Sequence, residues 1–335
     1  MGADFGDRAD FENSDRGFVA SLDPMVIKAA DGRVVWDMDW AFLDADCPPT
    51  ANPSLWRQAQ LTARHGLYQV TDGVYQVRGF DMSNMTLVEG DQGVIVIDSL
   101  ISQEVAAAAL ALYRTHRGDR PVTAVIYTHS HIDHFGGVLG VVDADTTVPI
   151  YAPEHFLEHA VAENVLCRHG HAAPRLLLRR GRRRKSPTGT LGIGLGAGGS
   201  TGTTGLIAPT RDLTHTGQEE VIDGVRLVFQ MTPGTEPPAE MNFLLPDKRV
   251  LCLAENATHN LHNIKGHLPA LPRLVRRQPG PAVATPSRGQ RRPLRGGDRG
   301  GGRHRRQGQP VRRGRGPALR GRAGKPRRVR RTKAR

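Results

Sequence analysis

Between residues 66 and 253, short apolar runs alternate with polar positions and are separated by turn-forming residues. Residues 66–70 and 74–78 alternate around Asp72-Gly73, and residues 85–89 and 93–98 flank a second polar turn. Each pair predicts a β-hairpin. Ser102 precedes an apolar-rich stretch running from Val105 to about Arg117, which predicts a helix capped by that serine. Residues 121–127 form a β-branched, apolar run and predict a buried strand ending at Thr128. Downstream, residues 148–151 predict a short strand and residues 153–165 a helix. Residues 221–231 predict another hairpin, as do 242–246 with 249–253. Hairpins, then strand, helix and strand in succession, define an α/β chain of mixed sheets with outer helices.

The chemistry starts where the central strand ends. His129, His131, Asp133 and His134 put four potential metal ligands into six positions. Neutral imidazoles suit Zn²⁺ or iron, and a carboxylate among them lets a second cation sit close to the first. Two ions roughly 3.5–4 Å apart hold a bridging hydroxide at neutral pH and clamp attacking and leaving groups, so hydrolysis is the natural reaction. Gly136 and Gly137 follow, and are expected to let the backbone turn tightly so that a helix starts beneath the loop. A solvated loop with idle histidines would explain one such residue but not the cluster. Further carboxylates follow later strands: Glu236 and Glu240 in a Pro-rich turn, and Glu255 after residues 251–253. Loop positions of this kind favour function over packing.

Charge divides the chain. The total is +13. Residues 266–335 hold 21 Arg, 2 Lys and Asp298 alone as an acid, so they carry +22 and leave −9 for residues 1–265. Within the latter, residues 168–185 add seven Arg and one Lys without an acid, which makes the rest acidic, at −17. The Arg/Gly/Pro-rich tail has too few apolar residues to offset its ordering entropy, so disorder is expected from residue 266. Two origins compete for it: an arm binding nucleic acid non-specifically through phosphates, or out-of-frame translation after a frameshift. The tail lacks interleaved aromatic residues for base stacking, which favours the frameshift. The basic segment 168–187 is expected to have the same origin, against a basic surface insertion, and His169 and His171 within it are not assigned metal.

The hexad His-x-His-x-Asp-His after a core strand resembles the signature of the metallo-β-lactamase superfamily. Residues 22–37, 47–57, 79–86 and 127 onward resemble linear alkylsulfatases within it, over residues 15–167 and again from about 189 to 265. The resemblance implies an αββα sandwich, incomplete here, over residues 1–265. It implies hydrolysis of alkyl sulfate esters to alcohol and sulfate by a metal-bridging hydroxide, with two Zn²⁺ per site. His129, His131 and Glu236 would hold one ion; Asp133, His134 and Glu255 would hold the other or a bridging position, with Glu240 as a reserve. Asn263 matches the family's sulfate-binding asparagine. The arginine expected near it is replaced by Leu268, and no His-His-Trp motif occurs in the sequence, so impaired activity is expected. The family's homodimer is likewise not expected here.

Cys47, Cys167 and Cys252 lack metal spacing and are expected as small apolar fillers. The first residues lack the apolar stretch of a signal peptide, and no 18-residue apolar run occurs, so a cytoplasmic protein without a membrane span is expected. The Gly-rich run 189–199 lacks a Lys-Ser/Thr ending and is expected as a flexible surface or entrance loop. Two other functions stay open: another hydrolase of the superfamily, such as a thioesterase, lactonase or phosphodiesterase, and a non-catalytic nucleic-acid binder acting through the tail.

Overall fold

Alternation along the central strands decides how the layers stack. In a computed structural model that describes residues 6–166 and 184–257, β7 (Val94–Ile97) and β8 (Val122–Ile126) send successive side chains to opposite faces. Val94, Val96 and Val125 join a core beneath the helices. Ile95, Ile97, Ala124 and Ile126 join a second core shared with the other sheet. A strand period of two therefore buries both faces of one sheet.

That sheet has eight strands. It adds β1 (Phe18–Ala20), β4 (Gly66–Thr71), β5 (Val74–Arg78), β6 (Met85–Glu89), β9 (Ile150–Pro153) and β10 (Arg211–Leu213), in the order β1-β4-β5-β6-β7-β8-β9-β10. Its first half is antiparallel, whereas β7 through β10 run parallel. The second sheet is an antiparallel meander of β11 (Glu219–Ile222), β12 (Val225–Met231), β13 (Met241–Leu245) and β14 (Val250–Cys252). Phe229 and Phe243 pack with ring centroids 5.6 Å apart in the inter-sheet core. On the other side lie α2 (Pro53–Thr62), α3 (Gln103–Arg117) and a small hairpin of β2 (Val26–Lys28) and β3 (Val34–Asp37). The described residues thus give three layers, α/β/β, of the expected sandwich.

Most hairpins fall where the alternation predicted them, and several details differ. Ser102 does precede α3, but its hydroxyl makes no cap bond and meets the Ser200 hydroxyl at 2.7 Å. The predicted helix 153–165 is shorter: α5 (Phe156–Val161) runs into a wider, π-helical turn, Ala162–Leu166. No long helix follows Gly136 and Gly137. A single turn, α4 (Ile132–Phe135), begins inside the hexad, and a 3₁₀ turn, Val138–Gly140, follows. Those glycines serve close approach instead, since a Cβ on Gly137 would stand 2.1 Å from the Ser99 carbonyl oxygen. The Gly-rich run is not merely a surface loop, because Leu191 and Ala197 pack against the helix-side core. Cys47 is exposed rather than a buried filler.

N-terminal elements were hidden by their low periodicity: α1 (Ala9–Asp15), β1, β2, β3 and α2. In hindsight α2 has a legible start. Asn52 accepts from the amide of Ser54 at 2.9 Å, and Pro53 sits where no amide is needed. The expectations for Asn263, Cys167, the tail 266–335 and residues 168–183 lie outside the described residues.

Candidate metal centre

The candidate ligands converge because strand ends from both sheets meet at one edge. The loop after β8 carries the hexad, the β12–β13 turn carries Glu236, and the segment after β14 carries Glu255. Backbone bonds stitch these together: Met241 N donates to Thr128 O at 3.1 Å, and Ser130 N donates to Ala239 O at 3.3 Å.

Six predicted residues form two overlapping groups. Ligand atoms of His129, His131, Glu236 and Glu255 lie within 4.8 Å of one another, as do those of Asp133, His134 and Glu255. Glu255 belongs to both. Its Oε2 is 3.7 Å from His129 Nε2 and 3.8 Å from His134 Nε2. Asp133 Oδ2 lies 3.3 Å from the same His134 nitrogen, and Glu236 Oε1 lies 3.9 Å from His131 Nδ1.

Asp98, which the sequence reading passed over, fixes the histidines. This buried carboxylate accepts from Thr128 N and from Thr128 Oγ1, each at 2.9 Å, and from His134 Nδ1 at 2.7 Å. Because the Thr128 hydroxyl donates to Asp98, it accepts from His129 Nδ1, 3.0 Å away. In their neutral, cation-binding form both rings are thereby assigned the tautomer protonated at Nδ1, which leaves Nε2 facing the carboxylates as the ligand atom. Asp98 itself has φ of 57°, a left-handed conformation unusual outside glycine. The surviving clue in the sequence is an acid ending an otherwise apolar strand.

Glu240 stands apart from the two ligand groups and is held within its own turn. Fully buried, it accepts from the Thr235 hydroxyl, from Glu236 N at 2.9 Å and from Asn256 Nδ2 at 3.0 Å. It shapes the turn that presents Glu236, and it belongs to neither ligand group among the described residues.

The electrostatics fit a cation. Burial, with the Glu255 carboxylate close by, pushes Glu236 up to about 9. Burial pushes Glu240 up to about 7. His134 also loses solvent, but Asp133 and Asp98 outweigh that loss and hold its pKa well above the ordinary histidine value. Glu255 is displaced downward: burial opposes its charge, and the hydrogen bond and charge of His134 more than compensate. Glu236 and His134 are thus retaining protons that a divalent cation would displace, and nitrogen and carboxylate donors suit zinc or iron.

Asp81 holds the surroundings in place. It accepts from Met82 N and Ser200 N at 2.9 Å, Ser200 Oγ at 2.6 Å and Ile101 N at 3.2 Å. Next to it, the Ser83 hydroxyl donates to the carbonyl of Asp133. Burial raises the Asp81 carboxyl from 3.8 to about 6. The folded state therefore binds the proton more tightly than the unfolded chain. The associated stability is complete below the unfolded value near 3.8 and is lost as pH rises through about 6. By linkage this amounts to roughly 3 kcal/mol. In urea titrations from pH 4 to 7, Asp81→Asn is expected to be less stable at low pH but to lose this component of the slope. Parallel slopes in the two proteins would refute the assignment.

A two-sheet sandwich with a His-x-His-x-Asp-His loop at its edge is the architecture of one superfamily. The profile of the metallo-beta-lactamase superfamily matches residues 78–250, and the chain belongs to it. Within that class, the chain is 48% identical over 266 residues to a linear primary-alkylsulfatase of a Pseudomonas species, covering 77% of this chain and 40% of that protein. It is 48% identical over 268 residues to the alkyl/aryl-sulfatase BDS1 of Saccharomyces cerevisiae, covering 78% and 41%. The solved structure of the stereoselective inverting sec-alkylsulfatase Pisa1 from Pseudomonas sp. matches with a TM-score of 0.70 at 43% identity, covering 74% of this chain and 40% of that one. The chain spans about two fifths of the length of these relatives. Among the described residues, no helix is long and apolar enough to cross a membrane.

Proposed function

We propose that this chain is a zinc-dependent hydrolase of alkyl sulfate esters, holding two ions and releasing an alcohol and sulfate. The observation that carries the proposal is the pair of ligand groups sharing Glu255 at the junction of the two sheets. The likeness to alkylsulfatases supplies the substrate class.

His129, His131, Glu236 and Glu255 would hold one ion, and Asp133, His134 and Glu255 the other. When bound, such ions supply Lewis acidity toward the ester and lower the pKa of water in the site. Asp98 and Thr128 keep two imidazoles oriented throughout, and Glu240 keeps Glu236 in place. Asn263 would donate its amide to the sulfate. Leu268 offers nothing in place of a guanidinium fork, so turnover is expected to be weak.

Incubation of the zinc-loaded 335-residue chain with dodecyl sulfate, with sulfate measured by ion chromatography, tests the proposal. Slow release that stops with a chelator is expected. Hydrolysis of a thioester or lactone with none of the sulfate would favour another reaction of the superfamily.

A further inference from the structure

Two of the three histidines in the hexad have their orientation set by a partner on the nitrogen that faces away from the ligand group. The third does not share that partner. His131 turns Nδ1 toward Glu236 Oε1, 3.9 Å away, and Nε2 toward Glu163 Oε2, also 3.9 Å away. Its side chain is also the most exposed of the three, at 25%, against 0% for His129 and 5% for His134.

The chemistry of imidazole decides what Nε2 needs. A ring that binds a cation through Nδ1 must be unprotonated there, so its proton resides on Nε2, which becomes a donor. Glu163 supplies the facing carboxylate. It sits in the π-helical turn Ala162–Leu166, a distortion often found at functional sites. The separation of 3.9 Å is beyond hydrogen-bonding distance. A half-exposed glutamate has the rotamer freedom to close it once the ring proton is fixed.

We propose that Glu163 is the positioning residue of His131, accepting its Nε2 proton and completing for the third histidine what Asp98 does for the other two. The proposal rests on the metal-binding reading above. Carboxylate–histidine–metal pairs of this type typically change metal affinity 10–100-fold when the carboxylate is removed.

The test is zinc affinity of the full chain, measured by competition with a chromogenic chelator, for wild type, Glu163→Ala and Glu163→Gln. Glu163→Ala is expected to weaken the tighter zinc by about 10-fold or more. Glu163→Gln keeps an acceptor oxygen and is expected to restore most of that loss. The same alanine substitution in a His131→Ala background should have no further effect. Affinity unchanged in Glu163→Ala, or lowered equally with and without His131, would overturn the proposal. Wild type without zinc binding would overturn the metal reading beneath it. A second readout needs no variant: in zinc-loaded wild type, imidazole nitrogen resonances should place the His131 proton on Nε2. A proton on Nδ1 would overturn the proposal even if Glu163→Ala failed to fold.

Discussion

Asp98→Asn is expected to give a folded protein whose zinc affinity falls by about 100-fold, the upper end for loss of an outer carboxylate. One Asp98 oxygen receives both the Thr128 hydroxyl and His134 Nδ1, and Thr128 passes the constraint on to His129. An amide nitrogen in that place donates rather than accepts. His134 Nδ1 must then become an acceptor, so its proton moves to Nε2 and blocks the ligand atom. The effect exceeds that of a typical outer carboxylate because two of the three hexad histidines depend on this one group. Asp98→Ala should lose stability as well. It strands the Thr128 amide, the Thr128 hydroxyl and His134 Nδ1 in a buried space, at about 1–3 kcal/mol each. Chelator competition together with urea denaturation separates the two variants. Affinity for Asp98→Asn within about threefold of wild type would show that the tautomers are set elsewhere.

The second large effect is expected at Glu255. Its Oε2 lies within 4 Å of two histidine nitrogens from the two ligand groups, His129 Nε2 at 3.7 Å and His134 Nε2 at 3.8 Å. Glu255→Ala should therefore lose both ions, with each affinity falling by well over the roughly 10–100-fold associated with an outer-shell change. Asp133→Asn offers the contrast. Asp133 belongs only to the group with His134, so its substitution should weaken one ion and spare the other. Isothermal titration with zinc reads both results. If Glu255→Ala and Asp133→Asn gave the same pattern, the shared-ligand geometry would be wrong.

The sequence made the ligands legible more readily than what holds them. His129, His131, Asp133 and His134 stand together after a β-branched strand, so proximity in the chain revealed proximity in space. Glu236 and Glu255 could be placed by their position after later strands and by resemblance. The resemblance preferred Glu236 and left Glu240, in the same turn, as a reserve. Only the structure shows Glu240 committed to Thr235, Glu236 N and Asn256. Asp98 and Asp81 escaped notice for a related reason. Each acts through contacts with residues about 20 to 119 positions away, which local periodicity does not record.

The fold followed the same division. Hairpins such as β4–β5 and β11–β12 are local, and the Asp-Gly turns between them mark both strands. The helix-side layer is not local: β2, β3 and α2 join it across long sequence separations, with Trp36 and Trp56 buried in the same core. Gly137 was read as a turn residue, whereas its requirement is set by a carbonyl oxygen from Ser99. Nothing within a few residues of Gly137 could have indicated that contact.

The most direct test of the metal centre is the zinc stoichiometry and affinity of the whole 335-residue chain, by mass spectrometry of metal content and titration. Four protein ligands in one group and three in the other predict a tight first ion and a weaker second. Both should be lost together in Glu255→Ala. A chain that binds no zinc, or binds it as tightly without Glu255, would contradict the assignment.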